Sequence, residues 1–452
     1  MRRFLTLLFA LFFVLGKVYA QPSLALYKFL NDTTLRWASV GVDVRLVESG
    51  EQILEHNSQI ALIPASVTKL ISTAFAMDIC GAECQLETNV YLSNGSLIVN
   101  AVGDPTLDSK YFPENNFLKR LVSDLQMRGV KEVDNITFKP MIPSQGRYNG
   151  AWLSEDVANY YGANSLPFTW SDNSTKITLR SDSKSGYFLA ETPCAGNCEY
   201  NCMVVAEPNA KADVWVYGGA DGYREIRGVM PQWVKEYSVN GSMGFPEEYF
   251  KAELGRFIKI GGSEKAVESK DNPILITSYT SPTFSEIINI ANKYSVNLYV
   301  EALANIAANR IEGSGTYCDK ISEWLAEVTP YYKGVVLKDA CGLAPLNRVP
   351  VSVFTDLLLW SRISLPAVFE NSLAVSGGAG TIKNFTRNYP HMHGKIVAKS
   401  GSMSGVRALS GFMKARSGKQ YAFTIIANGF TAKGSDVMNL FAAFLNDLYV
   451  EL

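Results

Sequence analysis

Ser66 and Lys69 stand three residues apart in Pro64-Ala65-Ser66-Val67-Thr68-Lys69-Leu70, at the head of an apolar run through Leu70, Ile71, Ala74 and Phe75. Residues at i and i+3 share a helix face, so the two side chains meet if a helix begins near Pro64, where proline suits the first turn. A serine hydroxyl attacks a carbonyl only with a base beside it. A lysine serves as that base once burial or a neighbouring cation lowers its pKa. The positive end of the helix adds to the field at the reacting carbonyl. Ser-x-x-Lys is also a common accident, a solvated lysine after a capping serine, so the pair needs company.

Two further stretches supply it. Ser295-Val296-Asn297 interrupts a helical pattern, and Lys399-Ser400-Gly401 ends a strand-like run. Alone, the first reads as a helix cap and the second as a strand end and turn. Together, and in this order, they resemble the Ser-x-x-Lys, Ser-x-Asn and Lys-Thr/Ser-Gly set of penicillin-binding proteins and serine β-lactamases. In such a set Ser295 relays a proton between Lys69 and the leaving amine, and Asn297 holds the substrate backbone. Lys399 gives positive charge, and Ser400 and Ser402 give hydroxyl donors to a substrate carboxylate. Gly401 leaves room for substrate against the strand. The backbone N–H groups of Ser66 and Ser402 form the oxyanion hole.

These residues need a scaffold. Ser23–Leu35 reads as a short amphipathic helix. Ala38–Leu54 reads as a hairpin, with Val40, Val42, Val44 and Leu46 alternating and Ser49-Gly50 at the turn. Lys395–Ser402, Ala408–Met413 and Tyr421–Ala427 read as three strands, and a C-terminal amphipathic helix follows, capped by Ser435. The hairpin and these strands are expected to form one antiparallel sheet with helices packed on it. Ser281 is the expected N-cap of a helix through Phe284, Ile287, Ile288 and Ala291, with a second helix over about Leu298–Asn309. Between Glu87 and about residue 279 the texture is that of short strands and turns, an insertion with its own β-rich structure.

The chain has 452 residues, 47% hydrophobic and 19% charged, with a net charge of −1. That length allows two or three domains, and the charge gives no electrostatic case for nucleic acid. Arg2 and Arg3 precede an apolar run from Phe4 to Leu15, with Val18 and Ala20 as small residues before a cut. This is the pattern of a secretory signal peptide cleaved after Ala20; the run is short for a retained anchor, which needs about 20 apolar residues. Export permits disulfides. Of the cysteines, Cys194, Cys198 and Cys202 have a spacing that fits no usual zinc or iron–sulfur pattern. Cys318 and Cys341, the two beyond the insertion, are the expected disulfide of the catalytic part. His56, His391 and His393 are the only histidines and no Gly-x-Ser-x-Gly is present, which disfavours a Ser-His-Asp hydrolase. His391 and His393 also read as alternate residues of a strand rather than a metal pair.

More than the three motifs match. Ile63–Ala76, Val102–Leu107, Tyr160-Tyr161-Gly162-Ala163, Asp172-Asn173, Ser295–Leu303, Gly342-Leu343, Asn347-Arg348-Val349, Gly380-Thr381 and Lys399–Gly411 resemble the class C low-molecular-mass penicillin-binding proteins. These form the D-alanyl-D-alanine carboxypeptidase/endopeptidase family, peptidase family S13. The resemblance implies an α+β fold: a transpeptidase/β-lactamase-like domain, an antiparallel sheet with helices on both sides, carrying nested β-rich insertions. The implied division is a signal peptide over 1–20, a catalytic domain over 21–86 and 280–452, one accessory domain over 87–165 and 250–279, and another over 166–249.

The same resemblance makes Ser66 the acylated nucleophile, Lys69 the general base, and Ser295 and Asn297 the relay and substrate-holding pair. Lys399, Ser400, Gly401 and Ser402 bind the carboxylate. It further implies that an accessory-domain acid near a tryptophan, at Glu155 and Trp152, and the residues after the strand motif, Met403 and Ser404, read the stem-peptide side chain. Expected partners are peptidoglycan stem peptides and β-lactams as covalent inhibitors, in the periplasm, with no metal or cofactor. The alternatives are a catalytically silent cell-wall peptide binder or, against the length of the insertion, a β-lactamase. The chain departs from the family at Cys341 and at Ala344-Pro345, where serine and then Ser-Arg are usual, and has Ser400 where threonine is commoner.

Overall fold

The computed structural model describes residues 23–114, 116–182, 186–191, 200–218, 223–261, 272–330 and 333–452. The proposed signal peptide, Cys194 and Cys198 lie outside them.

The main sheet has strands β1 (Ser39–Leu46), β2 (Gln52–His56), β3 (Ala374–Val375), β4 (Ile396–Met403), β5 (Val406–Lys414) and β6 (Gln420–Asn428). Their spatial order is β3-β4-β5-β6-β1-β2, with every pairing antiparallel. The expected union of N-terminal hairpin and C-terminal strands is therefore present, with β6 against β1.

Side chains alternate across a sheet, and here both faces are covered. Ala408, Phe412, Ala422 and Ile426 pack into one core with the helices Lys69–Cys80 and Val351–Ser364. Their neighbours Leu409, Met413, Phe423, Ile425 and Ala427 pack into a second core with Phe29 of Leu24–Leu30 and with Val437, Phe441 and Leu445 of Gly434–Glu451. Burial on both faces explains why Tyr421–Ala427 reads as a nearly unbroken apolar run.

The insertion follows the helix that begins at Lys69. A four-stranded sheet, in the order 274–280, 87–93, 96–101, 136–140, packs on the helices Phe117–Met127 and Pro246–Leu254. Between residues 174 and 242 lie two three-stranded sheets around Ile177, Leu179, Phe188, Val204, Val216, Ile226 and Met230.

Several local expectations need correction. Ala65–Thr68 is a 3-10 turn, and the α-helix begins only at Lys69. The N-cap before Phe284 is Thr283, not Ser281: its hydroxyl accepts from the Glu286 N–H while the Glu286 carboxylate accepts from the Thr283 N–H. The C-terminal helix is preceded by Lys433 as cap, so Ser435 sits inside it. His391 lies on a 3-10 turn rather than a strand. Cys318 and Cys341 are both free thiols: Cys318 is buried in the first turn of the helix Tyr317–Val328, and the Cys341 Sγ faces Asp339 Oδ2 at 3.5 Å.

Candidate active site

The three motifs, distant in sequence, meet between the main sheet and the helices Lys69–Cys80 (α1), Phe284–Tyr294 (α2) and Asn297–Asn309 (α3). Ala65, just before the serine, has φ 45°, an uncommon left-handed conformation for a residue with a side chain. Its carbonyl accepts from Thr68 Oγ1 at 2.8 Å, and a Cβ on Gly342 would lie only 1.9 Å from that same oxygen. The glycine, itself at φ +83°, lets the 339–344 loop close over the turn.

Lys69 is wholly buried. Its Nζ reaches Ser66 Oγ at 3.1 Å, Asn297 Oδ1 at 2.6 Å and the Cys341 carbonyl at 2.6 Å. Burial pulls its pKa below the ordinary lysine value, opposed by the electrostatic influence of Cys341, Asp339 and Glu301. The result is an amine aimed at a serine hydroxyl and eased toward its neutral form.

Ser295 ends α2 in a left-handed conformation, φ 61° and ψ 41°, and two residues later Asn297 opens α3. This break turns Ser295 toward Lys399, whose Nζ lies 3.0 Å from Ser295 Oγ and 2.8 Å from the Ser400 carbonyl. Asn297 Nδ2 donates to the Tyr161 carbonyl at 2.7 Å, which fixes the amide so that Oδ1 faces Lys69. Lys399 is also wholly buried, and burial together with the Lys69 charge holds its pKa well below the ordinary value.

The strand β4 borders Ser66 directly. A Cβ at Gly401 would stand 2.7 Å from the Pro64 carbonyl and 3.1 Å from the Ser66 nitrogen, so only glycine fits undisturbed. β3 pairs only with Val397 and Ala398, which leaves the β4 edge from Lys399 onward unpaired by it and open to an extended ligand. Ser400 Oγ donates to Thr381 Oγ1 at 2.8 Å; Ser402 and Ser404 are exposed, and Met403 is half-buried.

Trp152 and Glu155 sit differently from each other. The Trp152 indole is buried and donates to Asp339 Oδ2 at 2.8 Å, so it braces the site wall. Glu155 is exposed on the one-turn helix Ser154–Val157, on the segment that leads to Tyr161.

Two acids that support the site were not singled out from sequence. Asp339 accepts from the backbone N–H groups of Gly342, Leu343 and Ala344, from Asn347 Nδ2 and from the Trp152 indole. Glu301 accepts from the N–H groups of Ala340 and Cys341 and from the Tyr317 hydroxyl. Together they shape the loop whose Cys341 carbonyl anchors Lys69. Glu301 lies one turn beyond Asn297 on the same helix face, a spacing that would have flagged it. With Cys341 these acids form a compact buried cluster, but their oxygens are already filled by N–H and O–H donors, as suits a structural role.

Residues 23–448 match the model of the D-Ala-D-Ala carboxypeptidase 3 (S13) family. The chain belongs to this family. It is a serine-type D-Ala-D-Ala peptidase, of the carboxypeptidase and endopeptidase kind. Among its relatives, a D-alanyl-D-alanine carboxypeptidase of Actinomadura sp. is 26% identical over 88% of this chain and 79% of its own length. Penicillin-sensitive carboxypeptidase A of Dictyostelium discoideum is 24% identical over 90% and 85%. In structure, the peptidase is similar to penicillin-binding protein 4 of Haemophilus influenzae, with a TM-score of 0.80 at 18% identity, covering 94% of this chain and 99% of that one. That likeness shows the expected α+β fold. The Haemophilus protein is also known in complex with a β-lactam.

Proposed function

We propose that this peptidase cleaves peptidoglycan stem peptides ending in D-alanine through an acyl-enzyme on Ser66, and that β-lactams acylate the same serine. The observation that carries the reading is the wholly buried Lys69 amine, 3.1 Å from Ser66 Oγ and oriented by Asn297 and the Cys341 carbonyl. Ser66 Oγ attacks the carbonyl of the penultimate D-alanine while Lys69 Nζ takes its proton. The N–H groups of Ser66 and Ser402 receive the oxyanion. The proton then passes through Ser295 to the amine that leaves, and water later releases the acyl group.

Lys399, Ser400 and Ser402 bind the carboxylate of the leaving residue, with Gly401 leaving the strand edge clear. Because burial disfavours the Lys399 charge, an arriving carboxylate draws a proton onto it, and binding couples to protonation. Glu155, with Met403 and Ser404 across the site and Trp152 as brace, reads the distal end of the stem side chain; a carboxylate there favours a free amine. We place the catalytic domain at 21–86 and 280–452 with two nested accessory domains between, and the protein in the periplasm after cleavage at Ala20. Among the described residues no helix is long and apolar enough to cross a membrane.

The test is release of D-alanine from a stem pentapeptide. Wild type is expected to release it and Ser66→Ala to lose release while keeping its fold. Release that survives in a folded Ser66→Ala protein overturns the reading.

A further inference from the structure

The carboxylate clamp does not end at Ser400. Its hydroxyl meets Thr381 Oγ1 at 2.8 Å, and Thr381 opens onto a cavity of about 410 Å³. Thr381, Lys383, Asn384 and Arg387 line one side, and Ser435 and Asn439 of the C-terminal helix line the other. Thr381, Lys383 and Arg387 are exposed to solvent. Among the described residues neither Lys383 nor Arg387 forms an ion pair. The nearby acid on the facing helix is Asp436, which accepts from Ser435 Oγ at 3.4 Å. The cavity has a mixed lining, with Phe385 and Met438 beside the polar groups; it carries two unneutralised cations and adjoins the place where a leaving group's carboxylate would sit.

Its size matters. When the enzyme acts as a carboxypeptidase, the leaving group is a single D-alanine, which fills only a small part of such a space. When it acts as an endopeptidase, the leaving amine belongs to the side chain of a second stem peptide, which brings a peptide chain and further carboxylates. We propose that the groove from Thr381 to Asn439 is the subsite for that leaving peptide, with Lys383 and Arg387 pairing with its carboxylates. This rests on the reading of Ser66 as nucleophile and Lys399 as carboxylate anchor. Each cation is solvated, so each contributes modestly and the effect is screened by salt. The pair acts mainly as a selector between cross-linked and free stems.

The experiment compares kcat/KM on a cross-linked stem-peptide dimer and on a monomeric pentapeptide, for wild type and for Lys383→Ala/Arg387→Ala. Acylation by a fluorescent penicillin is the control. The double variant is expected to lose about 10-fold or more on the dimer, to stay within about 2-fold on the monomer, and to keep its acylation rate. Added salt should lower wild-type activity on the dimer more than that of the variant. An undiminished rate on the dimer, or equal losses on both peptides, overturns the subsite. A wild-type enzyme that penicillin does not acylate and that cleaves neither peptide overturns the catalytic reading, and the subsite with it.

Discussion

The contact between Asn297 and Lys69 allows the role of the lysine to be tested by charge alone. Asn297 Oδ1 lies 2.6 Å from Lys69 Nζ. Asn297→Asp keeps the shape and places a negative charge at that spot. An opposite charge this close moves a pKa by about 1–3 units in favour of the charged form. Here it raises Lys69, which burial otherwise holds below its ordinary value. A base must be neutral to accept a proton, so the acid limb of the rate profile moves to higher pH by the same amount. Below that limb acylation should fall about 10- to 10³-fold. The new carboxylate also faces the Tyr161 carbonyl, to which the amide donates at 2.7 Å, which adds a loss that does not depend on pH. The assay is the second-order rate of acylation by a fluorescent penicillin from about pH 5 to pH 10. The expected deficit shrinks about tenfold for each unit of rising pH until it levels off. Asn297→Ala, which removes an acceptor from Lys69, should move the limb the other way. A deficit constant with pH, with the limb where wild type has it, would refute Lys69 as the base.

Three other substitutions probe different parts of the site. In Gly401→Ala the added methyl would meet the Pro64 carbonyl at 2.7 Å and push β4 from Ser66; acylation should drop by about 10²-fold in a protein of unchanged circular dichroism, and a wild-type rate would contradict this. Burial pushes the Glu301 carboxyl from 4.5 up to about 7, so between those values the unfolded chain releases a proton that the folded chain retains, and stability falls as pH rises, by up to about 3 kcal/mol. Glu301→Gln can still accept from Ala340 and Cys341 and donate to Tyr317; its Tm should gain on wild type between about pH 5 and pH 8, and parallel Tm curves would count against it. Glu155→Gln should remove most of an at least ~10-fold kcat/KM preference for D-Ala-D-Ala peptides with a free distal amine over acetylated ones; an unchanged preference takes Glu155 out of the site.

The sheet and its helices were legible because alternating and helical apolar patterns follow directly from burial on both faces. The insertion was legible as a change of texture at Glu87. The three motifs could be joined because each contributes a side chain whose chemistry is visible in its type. What escaped was what works through backbone or through depth. The Cys341 carbonyl that anchors Lys69 has no signature in sequence. Glu301 and Asp339 look like ordinary solvated acids until their N–H donors are seen. Pairing Cys318 with Cys341 by elimination ignored the fact that free cysteine is itself a good buried residue, which is how both are used. Thr283 outcompeted Ser281 as cap because Glu286 stands three residues after it and closes the reciprocal pair.

The central claim is that Ser66 is the residue that becomes acylated. The direct measurement is mass-spectrometric mapping of the adduct formed when the mature protein meets a labelled penicillin. The account expects one adduct, on the peptide that contains Ser66, absent in Ser66→Ala. An adduct on another residue, or none in a folded sample, would contradict it.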